Sequence, residues 1–338
     1  MGATPKDPGM IITQTPLRIS LLGGGTDFEE YYSRRPGLVV SSAIDKFVYV
    51  IIKERYDDLI YINYSKKEIV HSVQEIQHEL VREAMLQTGV EKGVEITMLA
   101  DIPSEGSGLG SSSSILVGLL NALYLYAGSQ VTAELLASQS AQIEILRCRK
   151  PIGKQDHYIA AFGGLCSIQF FGSGEVQVER HRLTDKQRRE LDANLLLFFT
   201  GTTRQSREIL AEQQSNTATR LAELDMIRSL AAEAESAIKE GEFGVIGSLL
   251  HENWELKKKL ALRITSPEID RMYERARSAG ATGGKIAGAG GGGFLLLYCP
   301  QERQQEVREA LKEYREMPFL FEVDGSKAIF NYRRYGWK

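Results

Sequence analysis

The sequence predicts an α+β chain built as two closely packed domains, and three observations carry that reading. Its 338 residues exceed a typical domain of about 100–200 residues. Runs of β-branched and aromatic residues mark the first half, whereas charged stretches with helical periodicity mark the second. No period of about 20–50 residues recurs, which excludes a solenoid.

Taken in order, residues 1–9 read as a flexible leader and the ordered chain begins near Met10. Ile11–Leu22 is a strand that runs into a glycine turn. Ile44–Glu54 and Leu59–Tyr64 are expected to pair as strands. Val94–Ala100 alternates apolar and polar side chains until Pro103 stops it. Ser111–Ala127 is apolar nearly all round and is expected to be a buried helix. Thr132 is placed to cap the next helix, which carries Glu144. Gly163-Gly164 turns the chain into another strand, LCSIQFF. A first domain over residues 10–185 and a second over 186–338 follow. The second contains a buried strand at Asn194–Thr200 and a charged helix or helix pair near Gln205–Glu240. Helices at Phe243–Leu262 and Pro267–Ala279 come next, then a strand at Phe294–Tyr298 and an amphipathic helix at Arg303–Tyr314.

Composition removes several classes of function. Hydrophobic residues make up 43% and charged residues 25%, the range of ordinary globular proteins. A net charge of −3 lacks the basic surplus that phosphate backbones require, so no nucleic-acid partner is expected. No segment approaches the ~18 unbroken apolar residues of a membrane span. Cys148, Cys166 and Cys299 form neither a disulfide framework nor a metal-ligand spacing, which fits a reducing, cytoplasmic setting. No oligomeric state beyond monomer or homodimer is implied.

The strongest local signal is D-I-P-S-E-G-S-G-L-G-S-S-S-S at Asp101–Ser114. Gly106, Gly108 and Gly110 let backbone N–H groups converge without Cβ obstruction. The serines then open a helix, whose unpaired N–H groups and positive dipole end attract anions. Hydroxyls at Ser111–Ser114 can donate to phosphate oxygens or coordinate Mg²⁺. A flexible linker is the plain alternative, but linkers seldom join an alternating strand to a wholly apolar helix. No G-x-x-x-x-G-K-[ST] occurs. Gly288-x-Gly290-x-x-Gly293 fits the dinucleotide pattern but precedes a strand instead of following one.

Three motifs, P-L-R-I-S-L-L-G-G-G-T-D-F (Pro16–Phe28), P-S-E-G-S-G-L-G-S-S-S-S (Pro103–Ser114) and K-I-A-G-A-G-G-G-G-F (Lys285–Phe294), stand in the order found in the GHMP kinases. Across nearly its whole length the chain resembles that family, which includes galactokinase, homoserine kinase and mevalonate kinase. The resemblance implies a GHMP kinase fold: an N-terminal domain like ribosomal protein S5 domain 2 and a C-terminal ferredoxin-like domain, with the active site between them. It also implies phosphoryl transfer from ATP, with Mg²⁺, to a sugar hydroxyl. Galactokinases carry Glu-His where this chain has Gly24-Gly25, so galactose is not the implied acceptor. The G-G-G-T-D form is similar to that of the family's anomeric sugar kinases, those acting on heptose 7-phosphates in particular. G-K-Q-D-H-Y-I-A-A-F-G-G (Gly153–Gly164), F-T-G-T-T-R (Phe199–Arg204) and N-W-E-L-K-K-K-L (Asn253–Leu260) agree with that subgroup.

Roles follow from the resemblance, residue by residue. Asp156 corresponds to the catalytic aspartate, although an Asp after a glycine is also a common helix cap. Arg18 corresponds to the first-motif arginine, catalytic and substrate-binding, with an edge-strand arginine as its alternative. Pro103, Glu105, Gly106, Ser107, Gly108, Leu109, Gly110, Ser111, Ser112 and Ser113 are implied to bind ATP. Gly24, Gly25, Thr26, Asp27, Arg204, Gly290 and Gly291 are implied to bind the sugar beside Arg18 and Asp156. Glu144 and Ser112 are the implied Mg²⁺ ligands, with an ion pair to Arg147 as the alternative for Glu144. A sugar phosphate needs a second anion site, for which Arg147, Arg149, Lys150, Lys154 and Arg204 are candidates. A kinase of fucose or another free hexose, and a non-catalytic sugar/ATP sensor on the same fold, are the competing functions.

Overall fold

Gly9–Leu22 forms the first strand, β1, and from Leu17 onward every residue is buried. Both faces of its second half are covered by helices, so it reads as a continuous apolar run interrupted only by Arg18 and Ser20. The computed structural model describes residues 9–102, 106–202 and 206–333.

After the short helix α1 (Glu29–Tyr32), the 18-residue strand β2 (Gly37–Glu54) returns antiparallel to β1, with Arg18 opposite Ala43. Then follow β3 (Ile60–Asn63), β4 (Lys67–Val70), helix α2 (Glu79–Thr88) and β5 (Val94–Ala100). Helices α3 (Ser111–Tyr126) and α4 (Ala133–Ala141) run into a π-helical turn at Gln142–Arg147, and α5 covers Gln155–Phe162. The N-terminal part ends with β6 (Leu165–Phe170) and β7 (Val176–Arg180).

The large sheet has the order β11-β1-β2-β5-β3-β4, where β11 is Lys327–Arg333 at the end of the chain. Along one edge of β2, β6 pairs with its first part and β5 with its second. The expected pairing of Ile44–Glu54 with Leu59–Tyr64 does not form. Strand β5 lies between them and pairs β3 in parallel, because α2 and its flanking turns carry the chain over before β5 enters. A division near residue 185 is crossed by the chain's end, since β11 pairs with β1.

The C-terminal part comprises α6 (Asp185–Asp192), β8 (Leu195–Phe199), α7 (Ser206–Asn216), α8 (Leu221–Glu240), α9 (Ile246–Lys257), α10 (Pro267–Ser278), β9 (Gly283–Ile286), β10 (Phe294–Tyr298) and α11 (Gln304–Ala310). Its strands run β8-β10-β9, and a single bridge from Phe198 to Glu316 adds an incipient fourth strand outside β8. In chain order that is 4-1-3-2, the ferredoxin-like arrangement. Its helices α8 and α9 cover the face of the large sheet opposite α3 and α5. The end of β1 and the loops after it are thereby enclosed between the two halves. Among the described residues no helix is long and apolar enough to cross a membrane.

Candidate active site

Arg18 is the one cation on the buried stretch of β1, and its guanidinium decides the centre of the site. Nε donates to Asp156 Oδ1 and Nη2 to Asp156 Oδ2, both at 2.7 Å, while Nη1 donates to the Gly108 carbonyl at 2.7 Å. The planar fork thus meets a carboxylate bidentately, the stronger form of ion pair, and ties that pair to the glycine-rich loop. Asp156 is the second residue of α5 and not its cap, which is Lys154. Its side chain keeps 22% exposure against 5% for Arg18, so the carboxylate presents an open edge to a ligand. The alternative of an exposed edge arginine at position 18 is excluded by its burial.

The glycine turn after β1 sets the next wall. Asp27 accepts from the Gly25 amide at 3.0 Å and from the Gln155 amide and side chain at 3.2 and 3.1 Å. Burial raises the pKa of its carboxyl; the Gly25 N–H opposes this, and the nearby Asp156 charge adds to the rise. Gly153 must be glycine here, because a Cβ would lie 1.9 Å from Asp27 Oδ2. Thr26, expected at the sugar, is spent on the turn: its hydroxyl donates to the Gly23 and Leu38 carbonyls and accepts from the Leu38 amide. It does not face the cavity.

Arg18, Gly24, Gly25, Asp27 and Asp156 line one small cavity. Gly290 and Gly291 do not. They pack on Ile264, whose carbonyl accepts from the Gly291 amide at 2.7 Å. From the same glycine run Gly288 and Ala289 line the cavity instead. That run also braces the phosphate-type loop. A Cβ on Gly108, whose φ is +73°, would lie 2.4 Å from the Ala287 carbonyl, so the two backbones touch only because side chains are missing.

Gly106, Gly108 and Gly110 all have positive φ, and Gly110 caps α3. Alternation of such residues with ordinary ones turns successive N–H groups toward one concave side, an anion-binding arrangement. The serines that follow diverge. Ser111 Oγ lies 3.3 Å from Ser107 Oγ, Ser114 donates to the Pro16 carbonyl at 2.8 Å, and Ser112 and Ser113 both reach Glu144. Pro103, Glu105 and Arg204 lie outside the described residues.

Glu144 sits in the π-helical turn after α4, fully buried. Its Oε1 accepts from Ser112 and from Lys150 Nζ at 3.1 Å; its Oε2 accepts from Ser113 and His157 Nε2, both at 2.9 Å. Burial pushes its pKa up, but His157, Lys150 and Ser112 outweigh that and bring it down to about 2. Lys150, not Arg147, is thus its lysine or arginine partner. Arg147 turns away to Gln87. Lys150 Nζ also lies 3.2 Å from Ser112 Oγ, so a cation already rests against both oxygens. One carboxylate and one hydroxyl suit a hard ion that completes its shell with phosphate oxygens and water.

Of the anion-site candidates, Arg147 and Lys150 are therefore engaged elsewhere. Lys154 lies over the Tyr32 ring at 4.7 Å, with its pKa lowered by burial and raised by Glu29. Arg149 has φ +51°.

Sequence reasoning missed five polar residues that line the cavity: Ser20, Gln155, Gln213, Lys257 and Lys285. The two lysines are buried. Lys257 lies four residues after Asn253 and three after Trp254, both buried, so helical periodicity places it on the inward stripe; that was the available signal. Burial pushes its pKa down to about 8, helped by Arg18 and opposed by Asp27 and Asp156. The Lys285 ammonium is held well below the usual range by burial, then by Lys257 and Arg18.

A nucleotide-type loop at a helix N-terminus beside an arginine-held carboxylate, in a cleft between two α+β halves, defines a small-molecule phosphotransferase. Known proteins agree. The N-terminal domain of GHMP kinases matches residues 63–164 and their C-terminal domain residues 234–316. D-glycero-alpha-D-manno-heptose 7-phosphate kinase of Campylobacter jejuni is 28% identical over 94% of this chain and 98% of its own length. The L-fucokinase/L-fucose-1-P guanylyltransferase of Bacteroides fragilis is 28% identical over 90% of this chain and 36% of its own length. The crystal structure of a D-glycero-D-manno-heptose 1-phosphate kinase from Bacteroides thetaiotaomicron superposes with a TM-score of 0.80 at 26% identity, covering 96% of this chain and all of that one. The chain belongs to the GHMP kinases, enzymes that use ATP as substrate, and is a sugar kinase, a phosphotransferase with an alcohol group as acceptor.

Proposed function

We propose that the protein phosphorylates the anomeric hydroxyl of D-glycero-α-D-manno-heptose 7-phosphate, giving the 1,7-bisphosphate. The observation that carries the chemistry is the Arg18–Asp156 pair joined through Gly108 to the glycine-rich loop. The acceptor is supported by the Campylobacter jejuni relative, which spans both chains nearly end to end.

In this reading the loop Gly106–Ser113 cradles the triphosphate. Asp156 takes the proton of the acceptor hydroxyl as that oxygen attacks the γ-phosphorus; the bond to the bridging oxygen breaks, and ADP leaves with the electron pair. Arg18 holds the carboxylate edge-on and offsets charge on the transferred group. Asp27, fixed by Gly25 and Gln155, takes up sugar hydroxyls. Ser112 and Glu144 would hold Mg²⁺, which neutralises charge on the β- and γ-phosphates when bound. Lys154, half-buried beside the Asp27 loop, is the residue that best suits the acceptor's own phosphate.

The Bacteroides fragilis relative favours a second reading, a fucose kinase. The non-catalytic sensor is disfavoured because Asp156, Glu144 and Ser112 are all present, with Asp156 paired to Arg18 and Ser112 beside Glu144. ³¹P NMR of the protein with ATP, Mg²⁺ and the heptose 7-phosphate, and separately with fucose, galactose, mannose and glucose, decides among them. A new anomeric phosphate signal with the heptose alone is expected. Signal from a free sugar discards the heptose and keeps the kinase, while no product from any acceptor, with ATP bound, turns the reading toward the sensor.

A further inference from the structure

Burying an ammonium ion is costly unless its three donors find partners. Elsewhere in the site this chain supplies partners for a buried charge, as the four around Glu144 show. Lys257 and Lys285 are treated differently. Among the described residues Lys257, on α9, makes one hydrogen bond, to the Gly288 carbonyl, and Lys285, on β9, makes one to the Leu21 carbonyl at 3.0 Å. The carboxylates facing Lys257 are Asp27, after β1, and Asp156, on α5; Arg18 faces it from β1 and Lys285 from β9. Both carboxylates are already committed, Asp156 to Arg18 and Asp27 to Gly25 and Gln155. The cavity therefore holds three basic side chains beside two carboxylates that already have partners.

The position of Lys257 points to what completes the balance. Gly288 abuts Gly108 of the phosphate-type loop, and Gly108 is also the carbonyl that Arg18 holds. The ammonium thus waits where the acceptor cavity meets the nucleotide loop.

We infer that Lys257 is a further catalytic residue, whose ammonium leaves the Gly288 carbonyl to contact the non-bridging oxygens of the γ-phosphoryl group during its transfer. The lysine keeps its proton throughout; the acceptor's proton goes to Asp156 and the leaving electron pair to ADP. This rests on the kinase reading above. Burial favours the neutral amine, and an arriving phosphate dianion favours the ammonium, so ligand and charge reinforce each other.

The test compares Lys257→Met and Lys257→Arg with the unaltered protein. Loss of a preorganised donor predicts a kcat lower by about 10²–10³-fold in the Met variant, with acceptor KM within about threefold and partial recovery in the Arg variant. A second readout needs no acceptor: calorimetric affinities for a non-hydrolysable ATP analogue and for ADP. The unaltered protein should prefer the triphosphate, and that preference should fall about tenfold in the Met variant. Failure of the acceptor assignment leaves this arm intact. Retained kcat with a raised KM for the phosphorylated acceptor would overturn the inference by assigning Lys257 to the acceptor phosphate. So would an unchanged triphosphate preference, or an activity loss that only follows a lowered thermal midpoint.

Discussion

Among the buried charges of the site, Glu144 and Lys257 have opposite sign and the chain handles them in opposite ways. Glu144 is enclosed by Ser112, Ser113, Lys150 and His157 and is held charged down to about pH 2. Lys257 is as deeply buried, yet among the described residues has a single carbonyl for a partner, and its pKa falls to about 8. The first is a finished network that the fold can close without ligand. The second is an unfinished one whose missing partner is an anion. Whether a buried charge is already balanced within the chain is therefore read from the count of its partners and not from burial alone.

Asp156→Asn removes the proposed proton acceptor but keeps the shape of the Arg18 contact. It should lower kcat by about 10³-fold with nucleotide affinity little changed, measured by steady-state assay and calorimetry. Equal losses in both would place the base elsewhere.

Glu144→Gln breaks the finished network and should cost about 3 kcal/mol in denaturant unfolding. The pH dependence has a fixed sign. The folded-state pKa is depressed from 4.5 to about 2, so the contribution is complete above pH 4.5 and is lost as pH falls toward 2. That amounts to roughly 3 kcal/mol. A wild-type stability flat across this window, once the Gln variant is subtracted, would show that the network is not compensating the charge.

A smaller effect is expected at Gly153→Ala, where the new methyl would collide with Asp27 Oδ2. Acceptor kcat/KM should fall by about tenfold while ATP affinity holds, since displacement of a positioning group is felt mainly by the ligand it positions. Arg147→Ala should do least. Its partners are Gln87 and Glu83 on the outer surface, so turnover should be unchanged and stability within about 0.5 kcal/mol. A raised acceptor KM would return Arg147 to the anion site.

Much of this was legible in the sequence because the loops are local. The glycines, the serines and the helix they open lie in one stretch, and backbone geometry follows from composition there. Arg18 and Asp156 are 138 residues apart and were joined only through the family's motifs. Lys257 sat unremarked as the first of three consecutive lysines, of which it alone is buried; a surface helix end and a catalytic cation look the same until α9 is packed on β1. Thr26 and Gly290 depart in the other direction, since neither lines the cavity. They share motifs with working residues, but hydrogen bonds within the turn and packing on Ile264 occupy them. Pairing of β2 with β3 failed because adjacency along the chain ignores the strand that α2 delivers between them.

The most direct test of the contrast is the unfolding free energy of the wild type and of Lys257→Met from about pH 6 to pH 11. A folded-state pKa lowered from 10.5 to about 8 means that the unfolded chain binds more protons in that window, so the wild type gains stability as pH rises through it. The Met variant should be favoured near pH 7, and its advantage should shrink by roughly 3 kcal/mol between pH 8 and 10.5. A difference that stays constant with pH, or a wild type favoured most near pH 7, would mean that Lys257 is already compensated and is not waiting for an anion.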